Sequence, residues 1–93
     1  TLPVGAGLSS SAAIEVLTAF ILADLNNIQI RKQKLSLLTK EVENNFINVQ
    51  CGIMDQFAVT FGVKDMAIKL NCTTLEYEML PLKLSHCKLV IFN

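Results

Sequence analysis

Two short stretches of the chain hold residue types whose spacing could do chemistry. In Pro3-Val4-Gly5-Ala6-Gly7-Leu8-Ser9-Ser10-Ser11-Ala12-Ala13, two glycines and three consecutive hydroxyls open onto a long apolar segment. The first N–H groups of a helix have no internal acceptor and carry partial positive charge. Glycines just upstream let backbone approach a ligand with no Cβ in between. The serine hydroxyls add donors for phosphate oxygens or a ligand for magnesium. Gly5, Ala6, Gly7, Leu8, Ser9, Ser10 and Ser11 are therefore a candidate anion site, and polyphosphate is the anion that suits it best. The stretch is not a Walker A loop, because it lacks the Lys of G-x-x-x-x-G-K-[ST]. Charge neutralisation then falls to the helix end, the backbone and a metal. The plainer reading is a Ser-capped helix after a Gly-containing turn; three serines leading straight into a buried helix weigh against it.

The second stretch is Cys51-Gly52-Ile53-Met54-Asp55-Gln56. Asp55 falls in the first turn of a helix, where the positive helix end suits a carboxylate. A carboxylate held there can accept a hydroxyl proton or orient the nucleophile in phosphoryl transfer. Alone it would be an ordinary first-turn Asp. Glu43 stands 12 residues earlier, near the end of a helix, where an acid opposes the dipole and so hints at a compensating cation. Mg²⁺ takes one or two protein oxygens plus water and phosphate, so a hydroxyl of the serine run with Glu43 would suffice.

The elements that must position these residues follow from periodicity. Ala13, Val16, Leu17, Phe20 and Ile21 recur at helical spacing from Ser9 to about Leu25. Ala12, Ile14, Ala19, Leu22 and Ala23 cover the opposite side, so this helix is expected to be buried nearly all round, with Asn26-Asn27 as its stop. A second, amphipathic helix is expected from about Arg31 to Ile47, with Leu35, Leu38, Val42 and Phe46 inward. Cys51-Gly52 opens a third, through about Phe61, with Ile53, Met54, Phe57, Ala58 and Phe61 as its core face and Gly62 as its end. Strand character follows in 66–72, 75–79 and 87–92, with turns at Thr73-Thr74 and from Pro81 to His86. The fold class is α+β.

Composition narrows the function classes. The 93 residues allow one domain at most, yet 52% are hydrophobic. Some of that surface is expected to meet protein outside the chain, which reads as a piece of a longer polypeptide. Eight basic and eight acidic residues are dispersed and cancel, so neither nucleic acid nor an anionic membrane is expected as partner. Ala12 to Ala23 is too short to span a bilayer. Cys51, Cys72 and Cys87 are odd in number, without C-x-x-C spacing, and are expected to be buried and reduced. His86 and Lys64-Asp65 read as surface residues, Tyr77 and the five Phe as packing.

Together the motifs resemble a known family. PVGAGLSSSAA is similar to the phosphate-binding motif of the GHMP small-molecule kinases, and CGIMDQF to the catalytic-Asp motif of the galactokinases within them. Asn71-Cys72-Thr73-Thr74-Leu75-Glu76, Leu80-Pro81-Leu82 and Leu89 to Asn93 resemble later galactokinase segments. The resemblance runs over 1–93 and implies the central part of the family's N-terminal domain, with the phosphate-binding motif in 1–13, the catalytic-Asp motif in 51–57 and strand segments in 66–93. That domain is related to ribosomal protein S5 domain 2, with helices packed on a mixed or antiparallel sheet.

The implied activity is ATP-dependent phosphorylation of galactose at its anomeric hydroxyl, in the cytoplasm, with Mg²⁺ as cofactor. Gly5 through Ser11 would bind the ATP phosphates, and Ser11 and Glu43 would hold Mg²⁺. Asp55 would act as base or orienting charge, with the Gly52 backbone at the sugar. An Arg partner of Asp55, other sugar-binding residues and a third, Gly-rich motif are expected in the remainder of the polypeptide, so the segment alone is expected to be inactive. A kinase for galacturonate or arabinose, and a non-catalytic sensor of galactose and ATP, are the alternatives.

Overall fold

The computed structural model describes Leu2 and residues 5–91. Pro3 and Val4 of the first motif, and Phe92 of the expected last strand, lie outside the described residues. In chain order the elements are α1 (Ser10–Leu25), α2 (Lys32–Asn45), α3 (Met54–Phe61), β1 (Met66–Leu70) and β2 (Tyr77–Pro81). The strands pair antiparallel, from Met66 opposite Pro81 to Leu70 opposite Tyr77. The α+β class and the order of elements are as expected.

The three helices pack on one another, and the hairpin meets them at α3. There the Phe57 and Phe61 rings stack at 4.2 Å, and the Tyr77 ring of β2 lies 5.3 Å from the first and 4.9 Å from the second. Phe57 is fully buried, which contributes about 1.5–3 kcal/mol. Its aromatic neighbours add about 0.5–1.5 kcal/mol per pair. This cluster fixes α3, and with it the start of the helix that carries Asp55.

Several expectations are corrected. α1 is apolar all round but buries only Ala12 and Val16 among its described residues, leaving Ile14, Leu17, Phe20, Ile21, Leu22 and Leu25 exposed. Among the described residues, Ile28, Leu38 and Val42 approach one of those faces and Ile30 and Leu35 the other, but neither set closes over it. In α2 the inward face is Leu35, Ser36 and Thr39, not the Leu35–Leu38–Val42–Phe46 stripe; Phe46 is 84% exposed. Polar Ser36 and Thr39 can be buried because their hydroxyls donate to carbonyls of their own helix, Lys32 O at 3.1 Å and Leu35 O at 3.0 Å. Their small size lets α3 approach closely.

α3 begins at Met54 rather than at Cys51-Gly52; it buries Gln56 and Phe57, while Met54 and Ala58 face outward. Residues 87–91 form no strand: a strand is a shared ladder, and among the described residues no segment pairs with them. Among the described residues from 66 onward, the strands are β1 and β2. Cys51 is half-buried and Cys72 and Cys87 are exposed, all three as free thiols.

Gly62 does end α3, but with φ −52° rather than in the left-handed region. A Cβ there would lie 2.9 Å from the Ala58 carbonyl oxygen. Glycine is needed for clearance, not for conformational freedom.

Candidate functional site

Left-handed backbone shapes the first motif. Gly5, Gly7 and Ser9 have φ of 73°, 66° and 52°, and Ala6 and Leu8 between them have no positive φ. Left-handed residues alternating with others are a recurring feature of anion-binding turns. A Cβ on Gly7 would have no heavy atom within 4 Å, so glycine serves the backbone shape and an open approach.

Ser9 occupies the N-cap position of α1 but does not cap it. A capping residue adopts extended backbone and turns its oxygen to the N2 or N3 amide. Ser9 is instead left-handed, at a cost of about 1–2 kcal/mol for a residue with a Cβ, and its Oγ donates to Asp55 Oδ1 at 2.9 Å. The plain capping reading is therefore overturned. The first α1 amides keep no side-chain acceptor from Ser9, and the two motifs, 46 residues apart, meet at one hydrogen bond.

Beside this contact lies a second cluster. Ser11 Oγ is 3.3 Å from Glu43 Oε1 and 3.2 Å from Glu15 Oε1. Two carboxylates thus share one hydroxyl. Burial pushes the Glu15 carboxyl above its ordinary range, the Glu43 charge adds to this, and the Ser11 hydrogen bond opposes both. Glu15 Oε2 is buried without a hydrogen-bond partner among the described residues. On the far side of Glu43, Oε2 accepts from the Gln56 amide and from the Cys51 thiol at 3.2 Å. Burial, then the hydrogen bond to Glu43 and its charge, push that thiol up. Asn44 Oδ1 accepts from the Cys51 backbone N–H at 2.9 Å and holds the loop leading into α3.

The sequence-derived residues therefore come together in two pairs, Ser9 with Asp55 and Ser11 with Glu43. Gly52 is exposed, with open space where its Cβ would lie. Glu15 and Gln56 escaped the sequence reading. Glu15 stands four residues after Ser11, a helical neighbour, and Gln56 stands next to Asp55.

The oxygen set suits magnesium. A hydroxyl and a carboxylate converge with surplus negative charge and an unpartnered buried oxygen beside them. Among the described residues no three His, Cys, Asp or Glu side chains form a metal cage. The remaining ligands would be water and phosphate, as Mg²⁺ prefers.

The family model described as GHMP kinases N terminal domain matches residues 1–63. The chain is 50% identical over 93 residues to a galactokinase of Clostridium acetobutylicum, covering 100% of this chain and 24% of that protein. It is 53% identical over 92 residues to a galactokinase of Fusobacterium nucleatum, covering 99% and 24%. A crystal structure of Lactococcus lactis galactokinase complexed with galactose matches with a TM-score of 0.84 and 46% identity, over 89% of this chain and 21% of that one. The chain spans about a quarter of the length of the curated relatives it matches. Its motifs, their meeting in space and these likenesses agree, and the chain belongs to the GHMP kinase family, as part of the N-terminal domain.

Proposed function

We propose that this chain is the segment of a galactokinase that carries the phosphate-binding turn and the catalytic carboxylate. The observation that carries the reading is the Ser9–Asp55 hydrogen bond, which joins an acid to the glycine turn at the start of α1. An anion site next to a carboxylate is what transfer of a phosphoryl group to a hydroxyl requires. The names of the similar proteins supply galactose as the acceptor.

In this reading the backbone from Gly5 to Ser10 and the free α1 amides bind the ATP phosphates. Ser11 and Glu43 hold Mg²⁺, which when bound neutralises phosphate charge and polarises the phosphoryl oxygens. One oxygen of Asp55 is engaged by Ser9, and the other accepts or orients the anomeric hydroxyl of the sugar, with the Gly52 backbone alongside. The products are galactose 1-phosphate and ADP. The rest of the polypeptide supplies the remaining sugar contacts, and the enzyme works in the cytoplasm. Among the described residues no helix is long and apolar enough to cross a membrane.

The test is ADP release by the full natural chain containing this segment, with Mg-ATP and galactose, galacturonate, arabinose, glucose or N-acetylgalactosamine. Turnover selective for galactose is expected. Preference for galacturonate or arabinose would make it a kinase for another sugar. Tight binding of galactose and ATP without turnover would make it a sensor.

A further inference from the structure

Gln56 is fully buried in the first turn of α3, although the apolar pattern of that helix places Ile53, Met54, Phe57, Ala58 and Phe61 on its core face. Its backbone carbonyl accepts from Thr60 Oγ1 at 2.6 Å and from Ser36 Oγ at 3.5 Å. Its side-chain Nε2 donates to Glu43 Oε2, while Oε1 is buried without a partner among the described residues. An unsatisfied buried acceptor costs about 1–3 kcal/mol. For packing alone, Met would fill this volume without that cost. The amide orientation is also set: turned over, its oxygen would face the Glu43 carboxylate.

We propose that Gln56 is the positioning residue of the metal-binding carboxylate, its buried amide fixing Glu43 so that Oε1 is presented to Ser11. Asp55 and Gln56 are consecutive in the first turn of α3. One turn thus sets the acid against Ser9 and the metal ligand against Ser11, and it holds the two at a constant spacing. The proposal rests on Glu43 being a magnesium ligand.

The experiment compares Gln56→Met, Glu43→Gln and the double variant in the full natural chain, by direct Mn²⁺ binding in the presence of ATP and by the Mg²⁺ dependence of turnover. Loss of an outer partner of a metal ligand typically weakens metal affinity about 10–100-fold. Gln56→Met is expected to weaken Mn²⁺ binding about tenfold, with kcat at saturating Mg²⁺ within about threefold of the parent. Its melting temperature should be unchanged or raised. The double variant should bind no more weakly than Glu43→Gln alone, because Gln56 acts through Glu43.

Unchanged Mn²⁺ affinity in Gln56→Met, or losses that add in the double variant, would overturn the proposal. Unchanged affinity in Glu43→Gln would instead overturn the reading of Glu43 as ligand. Should Gln56→Met not fold, Gln56→Asn takes its place. It keeps an amide but shortens its reach, and the same weakening of Mn²⁺ binding is expected, with unchanged affinity counting against the proposal.

Discussion

At the scale of single residues, the roles proposed for Asp55 and Glu43 differ and should separate kinetically. In the full chain, Asp55→Asn removes the carboxylate proposed as proton acceptor while keeping the shape that accepts the Ser9 hydrogen bond. We expect kcat to fall about 10²–10⁴-fold with the ATP dissociation constant nearly unchanged. Glu43→Gln should chiefly raise the Mg²⁺ concentration needed for half-maximal rate. Equal loss of nucleotide affinity in both variants would mean that the roles are misassigned. Ser9 tests the left-handed backbone itself. Ser9→Ala loses the Asp55 contact and keeps a Cβ at φ 52°, whereas Ser9→Gly loses the contact and releases the strain. The Gly variant should be more stable than the Ala variant by about 1 kcal/mol in urea unfolding, while both lose rate. Equal stability would place the strain elsewhere.

At the scale of elements, the helix ends decide where these side chains stand. Gly62 ends α3 where a Cβ would press on the Ala58 carbonyl oxygen, a backbone atom that cannot swing aside. In the full natural chain, Gly62→Ala should therefore cost about 1–3 kcal/mol of stability, read as a lowered urea midpoint, and a variant as stable as the parent would show that the helix end relaxes freely. The helix itself was legible in the sequence, as were α1 and α2, because each repeats apolar residues near every 3.6 positions. The facing of α2 was not. Leu38, Val42 and Phe46 look like a core stripe by hydropathy, yet Ser36 and Thr39 go inside because their own helix satisfies their hydroxyls. The expected strand at 87–92 shows strand composition, but residues 87–91 have no partner among the described residues, and pairing is a property of two segments rather than one. In the site, residue types marked Ser11, Glu43 and Asp55. No local pattern could reveal the 46-residue Ser9–Asp55 contact, nor that a buried amide at Gln56 would lie behind Glu43.

At the scale of the whole molecule, the chain carries more apolar surface than it can cover. Its radius of gyration is 14.3 Å and its extents are 44 × 28 × 27 Å, against about 12 Å expected for a compact domain of this length. The buried apolar residues, among those described, are Ala12, Val16, Leu35, Ile53 and Phe57. Both flanks of α1 and the segment Leu89-Val90-Ile91 remain open to solvent. Such contiguous surface marks an interface or an aggregation liability, and the relatives are about four times longer than this chain. Produced alone, the 93 residues should therefore bind a hydrophobic dye such as ANS strongly and unfold without a sharp cooperative transition. On the proposed function they should also release no ADP above background with Mg-ATP and galactose, because the remaining sugar contacts are assigned to the rest of the polypeptide. Asp55→Asn in the isolated segment is the control. A sharp urea transition with weak dye binding would show that the three helices and hairpin suffice as a folding unit. ADP release that disappears in Asp55→Asn would show that these residues assemble a working site by themselves.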